Sequence, residues 1–171
     1  MENFKEKESQ IEKTKHIESM GIGKEQRAQL TLVLLGLKPA TDVSVFPWNS
    51  PSEEIENLLE KSGLQFIKYK NKRQEKTRDE YAVARDKETA ERLMSADPRS
   101  THGEYGTLMG YPQTAVEAFL KGELYDEPLP EDIENSIFKL RFSRDHYEEE
   151  FEVVRKWNQA IEEYCPSLIR S

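Results

Sequence analysis

The chain has 171 residues, a length that suits one domain with an appendage. Its seven Phe, seven Tyr and two Trp supply enough large side chains for a buried core, which excludes global disorder although 34% of the residues are charged. The net charge of −8 opposes unspecific attraction to nucleic acid and to anionic membranes.

Cysteine content and hydropathy exclude several further classes. A single cysteine, Cys165, excludes an internal disulfide and a cysteine-rich metal site. The first fifteen residues lack the apolar segment of a secretory signal, and the longest apolar run, LTLVLLGL (30–37), is too short to span a bilayer. We therefore expect a cytoplasmic protein without membrane contact and without a cofactor.

The N-terminal residues differ in composition from the rest of the chain. Residues 1–21 mix Lys and Glu with few large apolar side chains and little periodicity. This pattern predicts a charged N-terminal segment that is either flexible or a partner-dependent helix. A single domain is predicted over residues 22–168.

The first half of this domain begins with two predicted helices. Residues 24–36 predict a buried helix, with a strand as the alternative, and residues 42–46 predict a short strand after it. The stretch SPSEEIENLLEKSG is typical of a helix, with Ser50 as its N-cap and Glu53 completing a capping box.

A hairpin with a basic tip is predicted next. LQFIKYK (64–70) and EYAVAR (80–85) read as its strands, and Asp86 is expected to cap the following helix. Between residues 68 and 78, six cations face one acid, Glu75. These cations are candidates for binding nucleic acid or an acidic partner, and a solvated turn is the alternative. They are Lys68, Lys70, Lys72, Arg73, Lys76 and Arg78.

Residues 101–121 have the spacing of a helix-turn-helix, with Gly110 at the turn. The positions that would face DNA in such a motif are Gln113, Thr114, Glu117, Ala118 and Lys121. Between residues 97 and 127, however, six acids face two bases, which opposes contact with phosphates. A helix pair packed into the core is the alternative interpretation.

The stretch SIFKLRFS (136–143) alternates between apolar and cationic residues. It predicts an antiparallel strand with Lys139 and Arg141 on its wet face, where they would extend the candidate binding surface. The last helix carries an apolar stripe at helical spacing, which should pack on the other face of this strand. The stripe consists of Tyr147, Phe151, Val154, Trp157, Ile161 and Tyr164.

The order of these elements predicts an α+β fold, with a small, mostly antiparallel sheet and helices packed on one face. GYPQTAVEAF, together with the predicted strand and the EEEFEVVRKW helix, resembles segments of a family of small uncharacterised microbial proteins. The resemblance covers the second half of the chain. It implies a shared fold and supplies neither an activity nor site residues.

Two further residue groups bear on chemistry. Arg85 and Arg144 each precede an Asp at a predicted strand-to-helix junction, and they would line an anion pocket if the two junctions met. His146, Glu149 and Glu150 share one helix face but lack the second cluster that a metal site needs. We therefore predict no metal and no catalytic residue.

These patterns together favour a non-enzymatic interaction or regulatory protein whose partner is another protein. The alternative is a nucleic-acid-binding protein that uses the hairpin 68–78, the segment 101–121, or both. An enzyme acting on a phosphorylated small molecule at Arg85 and Arg144 is a third hypothesis. The oligomeric state does not follow from the sequence.

Overall fold

The computed structural model describes residues 2–69, 78–98 and 101–170. Three strands form one antiparallel sheet in the order β1-β3-β2, and helices surround it, so the predicted α+β class is confirmed. The strands are β1 (Ala40–Val45), β2 (Gln65–Tyr69) and β3 (Asp79–Ala84). The helices are α1 (Glu2–Glu18), α2 (Lys24–Leu34), α3 (Ser52–Lys61), α4 (Lys87–Ser95), α5 (His102–Leu108), α6 (Gln113–Lys121), α7 (Glu131–Glu134), α8 (Tyr147–Tyr164) and α9 (Ser167–Arg170).

Helices cover both faces of the sheet, whereas the sequence analysis placed them on one face. Tyr81 and Val83 of the central strand β3 point into a core formed with α1, α2 and α3. Ala82 and Ala84, on the opposite face, pack against α4 and α5. Four consecutive buried residues are typical of a strand that is covered on both sides, and the run YAVA carried that signal.

The predicted hairpin forms, and one of the two predicted helix caps does. Strands β2 and β3 pair with Phe66 opposite Val83. The Asp86 side chain caps α4 by accepting a hydrogen bond from the Thr89 backbone N–H at 2.8 Å. The tip residues 70–77 lie outside the described residues.

The predicted Ser50 capping box is wrong. Pro51 occupies the N-cap position of α3, and no side chain caps the helix there. The Ser50 N–H instead bonds to the Phe46 carbonyl at 3.2 Å in the turn that leaves β1, and the residue is buried. The close approach of Gly21 to the Ser50 side chain fixes this position, since a Cβ on Gly21 would overlap the hydroxyl oxygen.

Helix α1, which occupies most of the predicted N-terminal segment 1–21, packs on the domain. Ile17 and Met20 are buried in the core with α2 and α3. The buried Thr14 hydroxyl donates to the Tyr164 carbonyl at 3.1 Å, which ties α1 to the end of α8. These few contacts are spread along a charged helix. The sequence of α1 therefore has no continuous apolar stripe from which its packing could be predicted.

Residues 136–143 do not form a strand of the sheet, so Lys139 and Arg141 do not lie on a sheet face as predicted. The segment runs between α7 and α8, and its one described bridge joins Ser143 to Leu124. The alternation that suggested a strand here reports which side chains are buried and does not require a neighbouring strand.

The packing expected for this segment is nevertheless confirmed. Phe138 contacts Trp157 edge to face, with ring centroids 5.4 Å apart. Phe142 contacts Phe151 in the same way at 4.8 Å. Lys139 and Arg141 remain exposed on the opposite side of the segment. The apolar face of α8 is therefore covered by the side chains predicted to cover it.

Candidate functional site

The GYPQTAVEAF stretch builds the turn between α5 and α6. The two helices pack closely at Gly106, where a Cβ would lie only 2.9 Å from the Val116 Cγ2 atom. Gly110 adopts a φ of 76°, a left-handed conformation that reverses the chain. The Tyr111 N–H then bonds back to the Gly106 carbonyl at 3.0 Å. The helix-turn-helix-like geometry predicted from the sequence therefore forms.

A fully buried lysine lies directly beneath this turn. A Cβ on Gly110 would come within 3.0 Å of Lys38, so the turn rests on the lysine side chain. The Lys38 Nζ donates a hydrogen bond to the Gln29 side-chain oxygen. The same nitrogen lies 5.5 Å from the ring centroids of both Tyr111 and Trp157. Lys38 thus joins α2, the α5–α6 turn and α8.

Burial changes the protonation of this amine. Because desolvation disfavours the ammonium form, it lowers the pKa of Lys38 to about 7, although Asp42 and Glu25 attract the proton. A lysine with such a pKa is a potential nucleophile. Its amine is covered by Tyr111 and Trp157 and has no exposed surface, so a substrate cannot reach it in this arrangement.

A buried carboxylate fixes the N-terminal turn of α6. Glu150 of α8 accepts hydrogen bonds from the Thr114 hydroxyl at 2.6 Å and from the Ser143 hydroxyl at 2.6 Å. It also accepts one from the Ser143 N–H at 2.7 Å. These bonds hold α6, the 136–143 segment and α8 together. The Thr114 hydroxyl is therefore engaged inside the protein and does not face a DNA base as the motif would require.

Between the helix pair and the 136–143 segment lies a cleft of about 150 Å³. Its floor is apolar, formed by Ala115, Val116 and Leu140 together with the Tyr111 ring. One wall is the His102 ring stacked on Phe119, with centroids 4.3 Å apart and planes inclined by 24°. The cleft is therefore a concave, mainly apolar site of the kind that holds a small apolar group.

Two cationic side chains lie at the mouth of the cleft. Lys139 and Arg141 both line it, from the exposed side of their segment. The Lys139 ammonium donates to the Glu134 carbonyl at 2.5 Å, a contact that holds it in place without neutralising its charge. Arg141 forms no hydrogen bond or ion pair with a described residue. The mouth of the cleft is thus positive on a protein whose net charge is −8.

An exposed apolar patch adjoins the cleft. Phe119 is 44% exposed although its ring forms part of the cleft wall, and the next residue, Leu120, is 59% exposed. Adjacent large apolar side chains beside a pocket are typical of a surface that another protein covers. Cleft, cations and patch together form the candidate site.

The far side of α6 is less suited to DNA. A second groove there is lined by Glu117, Glu123 and Asp145, with Lys121 and the imidazole of His146 beside them. Carboxylates at this position repel phosphates. The acidic balance noted in the sequence is therefore concentrated next to the helix that would read DNA.

The described cations of the hairpin are paired with acids. The Lys68 Nζ lies 3.4 Å from an Asp79 carboxylate oxygen, and the Arg78 Nε lies 3.0 Å from a Glu80 oxygen. The four other predicted hairpin residues lie outside the described part of the chain; they are Lys70, Lys72, Arg73 and Lys76. No described contact joins Lys68 or Arg78 to the cleft.

The two arginines of the hypothetical anion pocket have different neighbours. The Arg85 guanidinium lies over Gly36, just after α2. Arg144 pairs with Asp145 at 3.3 Å, just before α8. The hypothesis assumed two equivalent strand-to-helix junctions, and the second junction does not exist because residues 136–143 are not a strand.

Other chemistries receive little support from the described residues. Across residues 2–69, 78–98 and 101–170, no group of three or more His, Cys, Asp or Glu side chains is placed to hold a metal ion. Burial raises the pKa of the Cys165 thiol to about 12, which opposes a role as a nucleophile. No helix in these ranges is both long and apolar enough to cross a bilayer.

Sequence reasoning missed most of this site. Lys139 and Arg141 were identified, but His102, Tyr111 and Phe119 were given no role in a binding site. Lys38 was not considered, although a charged residue directly after the apolar run LVLLGL is a signal of a buried ionisable group. The cleft brings together residues that are about 20 to 40 positions apart, and its shape follows from packing.

Comparisons with known proteins add no relative. No protein-family model matches the chain, and neither the curated proteins nor the solved structures contain a significant match.

Proposed function

We propose that the protein is a non-enzymatic interaction protein that binds a partner protein at the cleft. The occupant is an apolar side chain of the partner, flanked by acidic residues that meet Lys139 and Arg141. The observation that carries this proposal is the combination of an apolar floor with a cationic mouth in which Arg141 has no described partner.

The size and lining of the cleft favour a single side chain. An apolar cavity near 150 Å³ holds a group about the size of benzene. Leu, Met and Phe side chains are close to this size, and such anchors dominate the binding energy of many protein interfaces. The exposed Phe119 and Leu120 would extend the contact around the anchor.

The charge at the mouth favours an acidic partner. Charge complementarity at the edge of an interface increases the association rate and selects among partners more than it adds to affinity. Because the protein as a whole is acidic, a local pair of cations also orients an acidic partner toward this face.

The lining of the cleft gives less support to catalysis. His102 is the imidazole of the lining, and its Nδ1 is already bonded to the Pro98 carbonyl at 3.0 Å. The Tyr111 hydroxyl shares the lining with it, and burial raises the pKa of that hydroxyl, which opposes its ionisation. A binding role therefore accounts for the site with fewer assumptions than an enzymatic one.

Selection from a displayed library of short random peptides tests the proposal. We expect the recovered peptides to share one Leu, Met or Phe next to Asp or Glu. Their affinity for Arg141→Glu should fall about tenfold, because a charge-reversing substitution replaces an attraction with a repulsion at the mouth. The matched control is Lys121→Glu, which reverses an exposed cation on the far side of the same helix and should leave affinity unchanged.

Two results would contradict the proposal. One is a set of peptides without the apolar and acidic pattern, and the other is equal loss of affinity in the Arg141 and Lys121 variants. A single-stranded oligonucleotide measured in parallel at physiological salt separates the alternative. If it binds and Arg141→Glu abolishes the binding, the cleft belongs to a nucleic-acid-binding protein instead.

A further inference from the structure

The two edge strands of the sheet differ in whether another part of the chain hydrogen-bonds to their free backbone groups. At the β1 edge, the Gln26 side chain from α2 imitates a neighbouring strand. Its Oε1 accepts a hydrogen bond from the Ser44 N–H at 2.6 Å, and its Nε2 donates to the Ser44 carbonyl at 3.2 Å. Such a cover prevents another strand from pairing at that edge.

The β2 edge has no comparable cover in the described chain. Residues 65–69 pair with β3 on one side, and none of their backbone groups bonds to another described residue on the other side. A strand edge with unpaired N–H and C=O groups is a template for a further strand. Among the described residues, the sheet therefore has one covered edge, at β1, and one uncovered edge, at β2.

A groove lies beside the first two residues of β2. It has a volume of about 390 Å³ and is lined by Glu60, Gly63, Leu64, Gln65 and Phe66. Gln65 and Phe66 point to opposite faces of the sheet, so a groove that touches both of them lies along the edge itself. Space for part of an added strand is therefore present beside Gln65 and Phe66.

We propose that β2 pairs with β2 of a second copy of this chain, antiparallel and centred on Ile67. The two sheets then join into one six-stranded sheet across a two-fold axis. This inference is independent of the proposed partner cleft, because the β2 edge and the cleft share no residue.

The side chains of β2 suit this register. Pairing centred on Ile67 puts Lys68 opposite Phe66 and Gln65 opposite Tyr69, so that like charges never face each other. Lys68 of the second copy comes next to the groove that contains the exposed Glu60, which has no ion pair with any described residue. The two-fold symmetry gives two such Lys68–Glu60 attractions in the dimer.

A register with Lys68 opposite Lys68 is disfavoured by repulsion. Lysine on an edge strand often prevents such pairing, but Lys68 is partly neutralised by Asp79 at 3.4 Å. Five residues form a small contact, so we expect a weak dimer that forms at high protein concentration.

Sedimentation of the full chain over a range of concentrations tests the proposal. We expect a monomer–dimer equilibrium that is populated at concentrations on the order of 1 mM or below. Lys68→Glu and Glu60→Lys should each weaken the dimer roughly fivefold, because individual exposed charge pairs are weak but occur twice. The double variant should restore it, since the charges are exchanged. Lys61→Glu, a neighbouring reversal outside the groove lining, is the control.

Restoration in the double variant cannot result from refolding, because the Lys68–Asp79 pair stays broken there. Hydrogen exchange should show concentration-dependent protection of the β2 amides. A chain that remains monomeric, with fast exchange at the β2 edge at every concentration, overturns the proposal and leaves the edge to a strand from another protein. A dimer that both single reversals leave unchanged overturns it as well.

Discussion

Gly110 shows how one residue connects the recognisable sequence stretch to the buried lysine. Its φ of 76° is unfavourable for a residue with a side chain, and a Cβ there would lie 3.1 Å from the Lys38 Cβ and 3.2 Å from its Cα. Those Lys38 atoms cannot move without moving the backbone. We expect Gly110→Ala to destabilise the protein by about 2–3 kcal/mol, from the strained conformation and the close contact together.

Gly122 provides a control at the end of α6. It has nearly the same φ, 73°, but nothing lies within 4 Å of a Cβ built there. Gly122→Ala should therefore show the conformational penalty alone, about 1 kcal/mol. The measurement is the free energy of unfolding in urea for both variants. Equal losses would show that contact with Lys38 contributes nothing.

The N-terminal helix is the element whose role the sequence left open. Ile17 is fully buried in the core while Ile11, on the same helix, is only partly buried. If α1 belongs to the cooperative unit, Ile17→Ala should cost about 2–4 kcal/mol, because it leaves a cavity among core side chains. Ile11→Ala should cost roughly 1 kcal/mol. Thermal unfolding distinguishes the two, and a two-step transition or equal small effects would indicate that α1 unfolds separately.

The elements also show what a sequence pattern encodes. Alternation in SIFKLRFS predicted the inward Phe138 and Phe142 and the outward Lys139 and Arg141, all of which the structure confirms. It also suggested a strand, which was wrong. Burial against α8 depends on the side chains of the segment itself, whereas strand pairing depends on whether another strand lies alongside. The second condition is set by the tertiary fold.

Helix caps show the same distinction. Asp86 caps α4 because its partner, the Thr89 N–H, lies three residues away in the same helix. Ser50 has an equally good local signal, but the turn from Phe46 and the approach of Gly21 place it in the interior. The cleft was not predicted for a related reason: it depends on how the α5–α6 pair rests on Lys38, which is distant in sequence.

For the molecule as a whole, Lys38 lies where its separate cores meet. Its neighbour Trp157 belongs to the core formed by α2, α8 and α9, and Tyr111 borders both this core and the one beneath α4 and α5. A charged group at this junction destabilises the contact between the layers unless it loses its proton. Global stability should therefore respond to the protonation of this one amine.

The direction of the response follows from the pKa. An unfolded lysine keeps its proton up to about pH 10.5, whereas burial lowers the pKa of Lys38 in the folded protein to about 7. Between these values the unfolded chain binds the extra proton, so raising the pH stabilises the fold, with a slope of at most about 1.4 kcal/mol per pH unit. Below pH 7 Lys38 is protonated in both states, so the pH dependence disappears and the full cost of the buried ammonium remains.

The Cys165 thiol and the buried tyrosines set the upper limit of this window. Burial raises the pKa of Cys165 from 9.0 to about 12 and raises the pKa values of Tyr69 and Tyr105 above 10.0, so above about pH 9 the folded state holds more of these protons and the rise ends. Urea unfolding from pH 6 to 11 should thus show a maximum near about pH 9. Lys38→Met should flatten the rise between about pH 7 and 9, and the exposed Lys121→Met should not. If the rise persists in Lys38→Met, another group causes it, and the ammonium form of Lys38 does not limit the stability of this fold.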